Sequence, residues 1–465
     1  MTASPAGTGT FQLLATRRFG PFFATQFLGA FNDNLFKNAL VVLLTFRAAD
    51  WTTLSPGLIA NLAAGLFILP FFLFSATAGQ LADKYDKARL ARLVKGLEMA
   101  IMALAAAAFW MHSFAGLMAA LFLLGVHSTL FGPVKYALLP QHLREDELVG
   151  GNALVEAGTF VSILLGTLAG GVLAGTVAQP AWIAFGGFAV AAAGYAASRG
   201  IPAAPAPAPE LAVNLNPLSE TWRNLAFAGR ERSVLLAIVA ISWFWLYGAL
   251  FLAQFPAYAK YVLGGGESAV TLLLAVFTVG IGIGSLLCDR LSRHRLELGL
   301  VPLGAIGLTL FGIDLYFASP AATDGSAPQA LAALLGRPGV WRVLADLLLL
   351  GAFGGLFIVP LYALIQLRGE AAHRARIIAA NNIVNALFMV VGALGAGALL
   401  DGGWTIPELF GAGALANAAV AVGLCIALPE FGRRFVACLT PGRRVVEIPA
   451  RAAVDRAGRG KIGGS

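Results

Sequence analysis

Phe27-Leu-Gly-Ala-Phe-Asn-Asp-Asn-Leu-Phe-Lys-Asn-Ala-Leu40 decides how the rest of the chain is read. It lies inside an apolar run over 19–46, long enough to cross a bilayer as one helix. Near the middle of that run stand Asn32, Asp33 and Asn34, with Lys37 and Asn38 one turn later. An ionised side chain at mid-membrane costs about 2.5–3.5 kcal/mol on insertion scales, and persists where it faces a bundle interior or a wet cavity. Asp33 and Lys37 stand i, i+4 on one helical face and can neutralise each other as a structural pair. That pairing leaves three asparagines crowding the same two turns without a reason. A polar site at the membrane midplane accounts for all five residues.

The composition agrees. The 465 residues are 58% hydrophobic and only 12% charged, against about 25% charged in a soluble domain, and mean hydropathy is +0.79. The expected fold class is an all-α membrane protein, with room for about twelve spanning helices. Barrel strands would be shorter, with alternating polarity. The net charge of +8 does not point to nucleic acid, because the bases sit between the apolar runs, where they set topology. Cys288, Cys425 and Cys438 imply no disulfide framework. The first run is too long for a signal-peptide core and is expected to stay as a span. No cofactor or metal is expected, and a monomer is.

Spans are expected over 19–46, 56–80, 93–111, 116–139, 150–177, 181–198, 233–260, 267–287, 298–317, 341–366, 376–400 and 408–428. Bases alternate between the connections. Lys84, Lys87, Arg89 and Arg92 follow the second span, whereas the third and fifth connections carry no Lys or Arg. Arg290, Arg293 and Arg295 follow the eighth, Arg368, Arg374 and Arg376 the tenth, and Arg433 and Arg434 the last. By the positive-inside rule both termini face the cytoplasm.

Five segments result: a cytoplasmic N-terminal segment (1–18), a first six-helix bundle (19–198), a linker (199–232), a second bundle (233–428) and a basic tail (429–465). In the linker, the alternating prolines of 202–209 favour a stiff spacer. Asn216-Pro217 reads as a helix start, and Leu218, Trp222 and Leu225 then share one face of a short interfacial helix. The bundles echo each other. Asp83-Lys84 after the second span matches Asp289-Arg290 after the eighth. Tyr136-Ala-Leu-Leu matches Tyr362-Ala-Leu-Ile, and Asn152-Ala-Leu-Val-Glu156 matches Asn381-Asn-Ile-Val-Asn385. Duplicated halves of this kind bind substrate near the midplane between them and rock to expose it alternately.

Gly79-Gln-Leu-Ala-Asp83-Lys84-Tyr-Asp-Lys87-Ala-Arg89 resembles the signature loop of the major facilitator superfamily, with Asp86 where a glycine is usual. Ser285-Leu-Leu-Cys-Asp289-Arg290-Leu-Ser-Arg293 is its second copy, opened by serine instead of glycine. The resemblance implies a charge clasp, with Asp83, Lys84, Lys87, Arg89, Asp289, Arg290 and Arg293 gating the cytoplasmic side. Thr25 to Lys37, His127 to Pro140 and Glu147 to Glu156 resemble a narrower group, the bacterial lysophospholipid transporters. That resemblance implies a flippase moving lysophosphatidylethanolamine and related single-chain lipids inward across the bacterial inner membrane. A separate cytoplasmic acyltransferase is the implied partner, since no such domain follows Pro429.

Asp33, Lys37, Lys135 and Glu156 place both signs of charge within first-half spans, whereas the seventh and eleventh spans are nearly uncharged. With Asn34 and Asn152 they form the expected polar wall. Trp243, Tyr247, Phe251, Phe255 and Asn385 are candidates for an aromatic and neutral opposite wall. Phosphate wants lysine, ammonium wants carboxylate, and an acyl chain wants apolar surface. Simpler roles stand beside these: lipid-facing packing for any one aromatic, and snorkelling for Lys135. Lys135 and Glu156 can also pair structurally, and Gly132-Pro133 is expected to break or kink the fourth span. Gly158, Gly166, Gly170, Gly171 and Gly175 are expected at close helix contacts.

Two other functions are open to this sequence. A proton- or sodium-coupled transporter of a drug-like or other amphipathic substrate would use Asp33 to titrate or, with Asn32 and Asn34, to ligate Na⁺. A lysolipid acyltransferase would need histidine with aspartate five places on, and none of the five histidines has it.

Overall fold

The computed structural model describes residues 9–47, 50–54, 56–176, 179–321 and 328–440. In hydrocarbon every backbone polar group must be satisfied within the segment, so the apolar runs close into helices. In the first half these are α1 (Gly20–Phe46), α2 (Pro56–Lys84), α3 (Lys87–Trp110), α4 (Phe114–His142), α5 (Glu145–Thr176) and α6 (Ala181–Ser198). The linker holds α7 (Pro217–Gly229). The second half comprises α8 (Arg232–Ala257), α9 (Glu267–Leu291), α10 (Leu300–Ala318), the short α11 (Leu331–Leu335), α12 (Pro338–Arg368), α13 (Arg374–Asp401) and α14 (Ile406–Ala427). A final helix, α15 (Pro429–Leu439), follows at once; the rest of the expected tail lies outside the described residues.

Among the described residues eleven helices are long and apolar enough to cross a membrane. The twelfth position belongs to α1, 27 residues long, whose polar cluster lowers its hydropathy. It compensates by packing inward, against α5 and α6. Helix ends carrying the Lys/Arg-rich connections gather on one side, termed here the basic end. Gly132-Pro133 does not break α4, which runs on through Pro133 and Pro140. The chain around Pro133 is packed against α13, where a side chain at Gly132 would strike Asn382.

The two halves repeat one packing device. Gly125 on α4 lies against the Phe67 carbonyl of α2, and Gly351 on α12 against the Phe277 carbonyl of α9; at either place a Cβ would collide with backbone. Each glycine stands eleven residues before its half's tyrosine, Tyr136 or Tyr362. The halves meet along α2 with α13 and α5 with α9, joined by contacts of α4 and α5 with α12 and α13.

The linker is fastened down. Lys87 N–H donates to Ala204 O and Ala208 N–H to Asp83 O, both at 3.0 Å. Gln80 exchanges two bonds of 2.8 Å with the Asn214 backbone. Asn216 caps α7 through Leu218 and Ser219 N–H at 3.1 Å. Leu218 and Trp222 on α7 are 82% and 76% exposed, while Glu220 and Asn224 face inward.

Candidate functional site

The mid-span polar residues fall into two groups in the first half. In one, α1, α3, α4 and α6 enclose a charged cluster. Asp33 accepts a short hydrogen bond from Ser128, and its other oxygen lies 3.7 Å from His127 Nδ1. The opposite ring nitrogen, Nε2, lies 3.3 Å from Glu98. Glu98 pairs closely with Lys95 and accepts from Asn32 Nδ2 at 2.7 Å. Lys95, Glu98, His127 and Asn32 are buried, whereas Asp33 keeps 14% of its side chain exposed. Gly29 and Gly194 make room for the Lys95 ammonium, since a Cβ at either would press on it. Asp33 therefore does not pair with Lys37. That lysine lies 5.0 Å over the Phe67 ring, and Asn34 bonds back to Ala30 O at 2.8 Å.

The second group joins α1, α4 and α5 closer to the basic end. Lys135 Nζ donates to Thr159 Oγ1 at 2.8 Å, and Thr159 also contacts Gln26 Oε1 at 3.1 Å. Tyr136 donates to the fully buried Glu156 at 2.6 Å. Lys135 and Glu156 form no ion pair; each has a neutral hydroxyl partner instead. Asp33, Asn34, Lys37 and Lys135 all keep partial exposure.

At the basic end the halves are tied together. Asp83, at the end of α2, accepts from Ala375 N–H at 3.1 Å and Arg376 Nε at 3.0 Å. A carboxylate there also meets the partial positive charge of the α13 N-terminus. Asp289, its counterpart in the last turn of α9, sits against Gly150 in the first turns of α5, accepts a short bond from Thr10 and lies 3.0 Å from His294. Asn152 and Gln366 exchange amide bonds of 2.6 and 3.0 Å. Tyr136 and Tyr362 stack at 4.2 Å with an interplanar angle of 4°. Arg18 pairs with Glu147, a bond that raises its pKa above the ordinary guanidinium value.

The placement of the remaining expected residues is mixed. Of the gating set, Asp83 and Asp289 lie between the halves, and Lys87 is buried near Asp83. Lys84 stands near Tyr85, while Arg89, Arg290 and Arg293 are exposed and apart from the clasp. The base that meets Asp83 is Arg376.

The aromatic wall also differs. Tyr247 bonds to Leu308 O at 3.1 Å, Phe251 stacks on Phe410 at 4.3 Å, and Phe255 packs edge-on to Phe277. All three are buried inside the second half, where ring area is best removed from solvent, and offer no cavity surface. Trp243 is tied to Asn417 at 2.9 Å, and Asn385 accepts from Ser242 at 2.7 Å. On α8 it is Trp245 and Phe244 that reach the other half: Trp245 stacks on Phe160 at 5.8 Å and bonds Tyr362 at 3.1 Å, and Phe244 meets Phe160 edge-on. Nor is the second half free of charge: Asp314 pairs with Arg342 away from the basic end.

Sequence reasoning missed Lys95 and Glu98 as site residues. Their signal was an i, i+3 charged pair, obscured because the third span was expected to begin at 93. The helix begins at Lys87, which carries both residues about two turns inward.

The profile of the Major Facilitator Superfamily matches residues 22–336. The chain is 28% identical over 354 residues to the lysophospholipid transporter LplT of Enterobacter sp. (strain 638), covering 75% of this chain and 79% of that protein. It is 30% identical over 359 residues to LplT of Klebsiella pneumoniae (strain 342), covering 74% and 79%. Its fold is similar to that of the transporter FucP in the outward conformation, with TM-score 0.66, 14% identity and coverage of 88% and 98%. It is also similar to the human organic anion transporter MFSD10, with TM-score 0.63, 16% identity and coverage of 89% and 99%. The chain belongs to the major facilitator superfamily and, within it, to the lysophospholipid transporter family. It is a multi-pass membrane transporter and not an enzyme.

Proposed function

We propose that this protein is a flippase for lysophosphatidylethanolamine-type lipids, moving them across the bacterial inner membrane to the cytoplasmic leaflet by alternating access. The observation that carries the proposal is the set of partly exposed charges on α1 and α4. Asp33 is available to an ammonium, while Lys37, set over a ring face, and Lys135, bonded to a hydroxyl, each have a carboxylate only at longer range and are available to a phosphate. Trp245 and Phe160 supply flat apolar surface between the halves for the acyl chain. Asn152, placed by the sequence in the binding set, serves better as part of the closure with Gln366, and Glu156 as a support for Tyr136.

The basic end corresponds to the cytoplasmic side under the positive-inside rule. The ties at Asp83, Asn152 and Tyr136 then close the cytoplasmic side, leaving the site to be loaded from the opposite face. The protein works as a monomer and delivers lipid to a separate acyltransferase.

The test is uptake of labelled lysophosphatidylethanolamine into spheroplasts or vesicles. Wild type should accumulate label, and Asp33→Asn and Lys135→Ala should each reduce uptake at least tenfold, as loss of a charge-assisted contact of about 1.5–3 kcal/mol implies. Accumulation no greater than that of membranes lacking the protein would overturn the proposal.

A further inference from the structure

The ties at Asp83 and Asp289 are unequal in a way that the pseudo-symmetry of the halves does not explain. Counting back five residues from the echoed asparagines Asn381 and Asn152 gives Arg376 on α13 and Glu147 on α5. Arg376 Nε donates to Asp83 at 3.0 Å. At the matching place Asp289 is met by a helix that carries an acid, and the two charges repel. Asp289 is nevertheless only 1% exposed, and a carboxylate so buried needs donors and a compensating charge.

The N-terminal segment answers both needs. It begins as a short 3-10 helix, Thr10–Ala15, packed on α1 and α5 with Leu13 buried. At one end of the segment Arg18 grips Glu147 through both of its terminal nitrogens. Arg144 adds a contact of 2.9 Å to the same carboxylate, so the misplaced acid is covered. At the other end Thr10 donates a short hydrogen bond to Asp289 Oδ2. His294 Nδ1 lies 3.0 Å from that oxygen, but it belongs to the same half as Asp289 and joins nothing across the seam. Arg290 and Arg293, the nearest bases in sequence, are exposed. Asp289 Oδ1 is buried without a hydrogen-bond partner, and α5 approaches the carboxylate with the bare backbone of Gly150.

We infer that residues 10–18 are a strap across the basic end, standing in for the arginine that α5 lacks. Arg18 holds the strap to the first half, Thr10 holds it to Asp289 of the second, and Thr10 lets go each time the halves part there. A hydroxyl brings no charge of its own, so this is the weaker of the two ties. The strap therefore sets how readily the basic end opens.

The test reads conformation directly, on purified full-length protein in detergent without lipid. With Cys425 and Cys438 replaced by serine, spin labels are placed at Arg89→Cys on α3 and Arg433→Cys on α15, both exposed and on opposite halves. Pulsed electron resonance then gives the ratio of long to short separations. Thr10→Glu sets a second carboxylate against Asp289 and should raise that ratio about tenfold or more, as loss of a hydrogen bond to a charged group implies. Thr10→Ala should raise it less. Thr10→Lys brings an ammonium to the same carboxylate and should leave the ratio at or below the wild-type value. A residue that served only local packing would respond alike to Glu and Lys. A rise in both variants, or a wild-type ratio in Thr10→Glu, would overturn the strap. Neither result bears on which lipid is carried, so the transport proposal stands or falls separately.

Discussion

Asn152 shows how a single residue's chemistry is legible in the sequence while its role is not. A buried carboxamide must find partners for donors and acceptor alike, so its importance within a membrane span could be anticipated. Its partner, Gln366, lies on the opposite half, and no spacing in the chain encodes that proximity. Replacing Asn152 with Ala leaves the Gln366 amide short of two bonds in a buried site, a cost of about 1–3 kcal/mol. Thermal unfolding in detergent should show a lowered midpoint for Asn152→Ala, and an unchanged one would show that the pair is not a tie. Tyr136→Phe isolates a different bond. The ring stack on Tyr362 is kept while Glu156 loses its 2.6 Å donor. The midpoint should again fall by a comparable amount, and the effect should shrink in Glu156→Gln, where the charge left stranded is removed. Equal losses in both backgrounds would show that the hydroxyl acts on something other than Glu156.

At the scale of elements, the apolar runs located every membrane helix, because hydrocarbon permits almost no other outcome for such runs. The errors were at the ends. Helices continue past the hydrophobic stretch as capped, basic turns, as α3 does from its Asp86 cap, and those extra turns moved Lys95 and Glu98 into the interior. The aromatic assignments failed for a related reason. Tyr247, Phe251 and Phe255 recur at helical spacing, which identifies a face of α8 but not whether it meets a cavity, a lipid or another helix. Glycine positions discriminate better. On α9, a Cβ at Gly284 would collide with the Ala352 carbonyl of α12, while at Gly282 it meets nothing within 4 Å. Gly284→Leu should therefore push α9 from α12 and lower stability by about 1–3 kcal/mol or more, whereas Gly282→Leu should be close to neutral. Fluorescence-detected gel filtration after heating distinguishes the two, and equal losses would mean that α9 and α12 do not approach as closely as described.

The whole molecule joins these scales through its pseudo-symmetry. Asp83 and Asp289 are equivalent in the last turns of α2 and α9, and each is set against the N-terminal turns of a helix from the other half, α13 and α5. Equivalent carboxylates thus clasp both sides of one end, and breaking them together is what opening that end requires. Transport by alternating access needs the clasp to release once per cycle, so a covalent bond across it should stop transport without touching the site. Gly79 and Ala379 offer the position, since a Cβ at 79 would stand 2.7 Å from that of Ala379. This is somewhat inside the usual disulfide separation of about 3.5–4.5 Å, and the same Cβ would stand 2.9 Å from Arg376 Cα and 3.0 Å from Ala375 O, so α2 must part from the α13 backbone to accept it. With Cys288, Cys425 and Cys438 replaced by serine, the double variant Gly79→Cys, Ala379→Cys should transport lysophosphatidylethanolamine when reduced. It should lose uptake on oxidation and recover it with dithiothreitol, while either single variant stays insensitive. Oxidised protein that is fully cross-linked yet transports at the reduced rate would mean that the basic end does not open during the cycle. The two halves would then have to admit and release lipid on one side of the clasp alone.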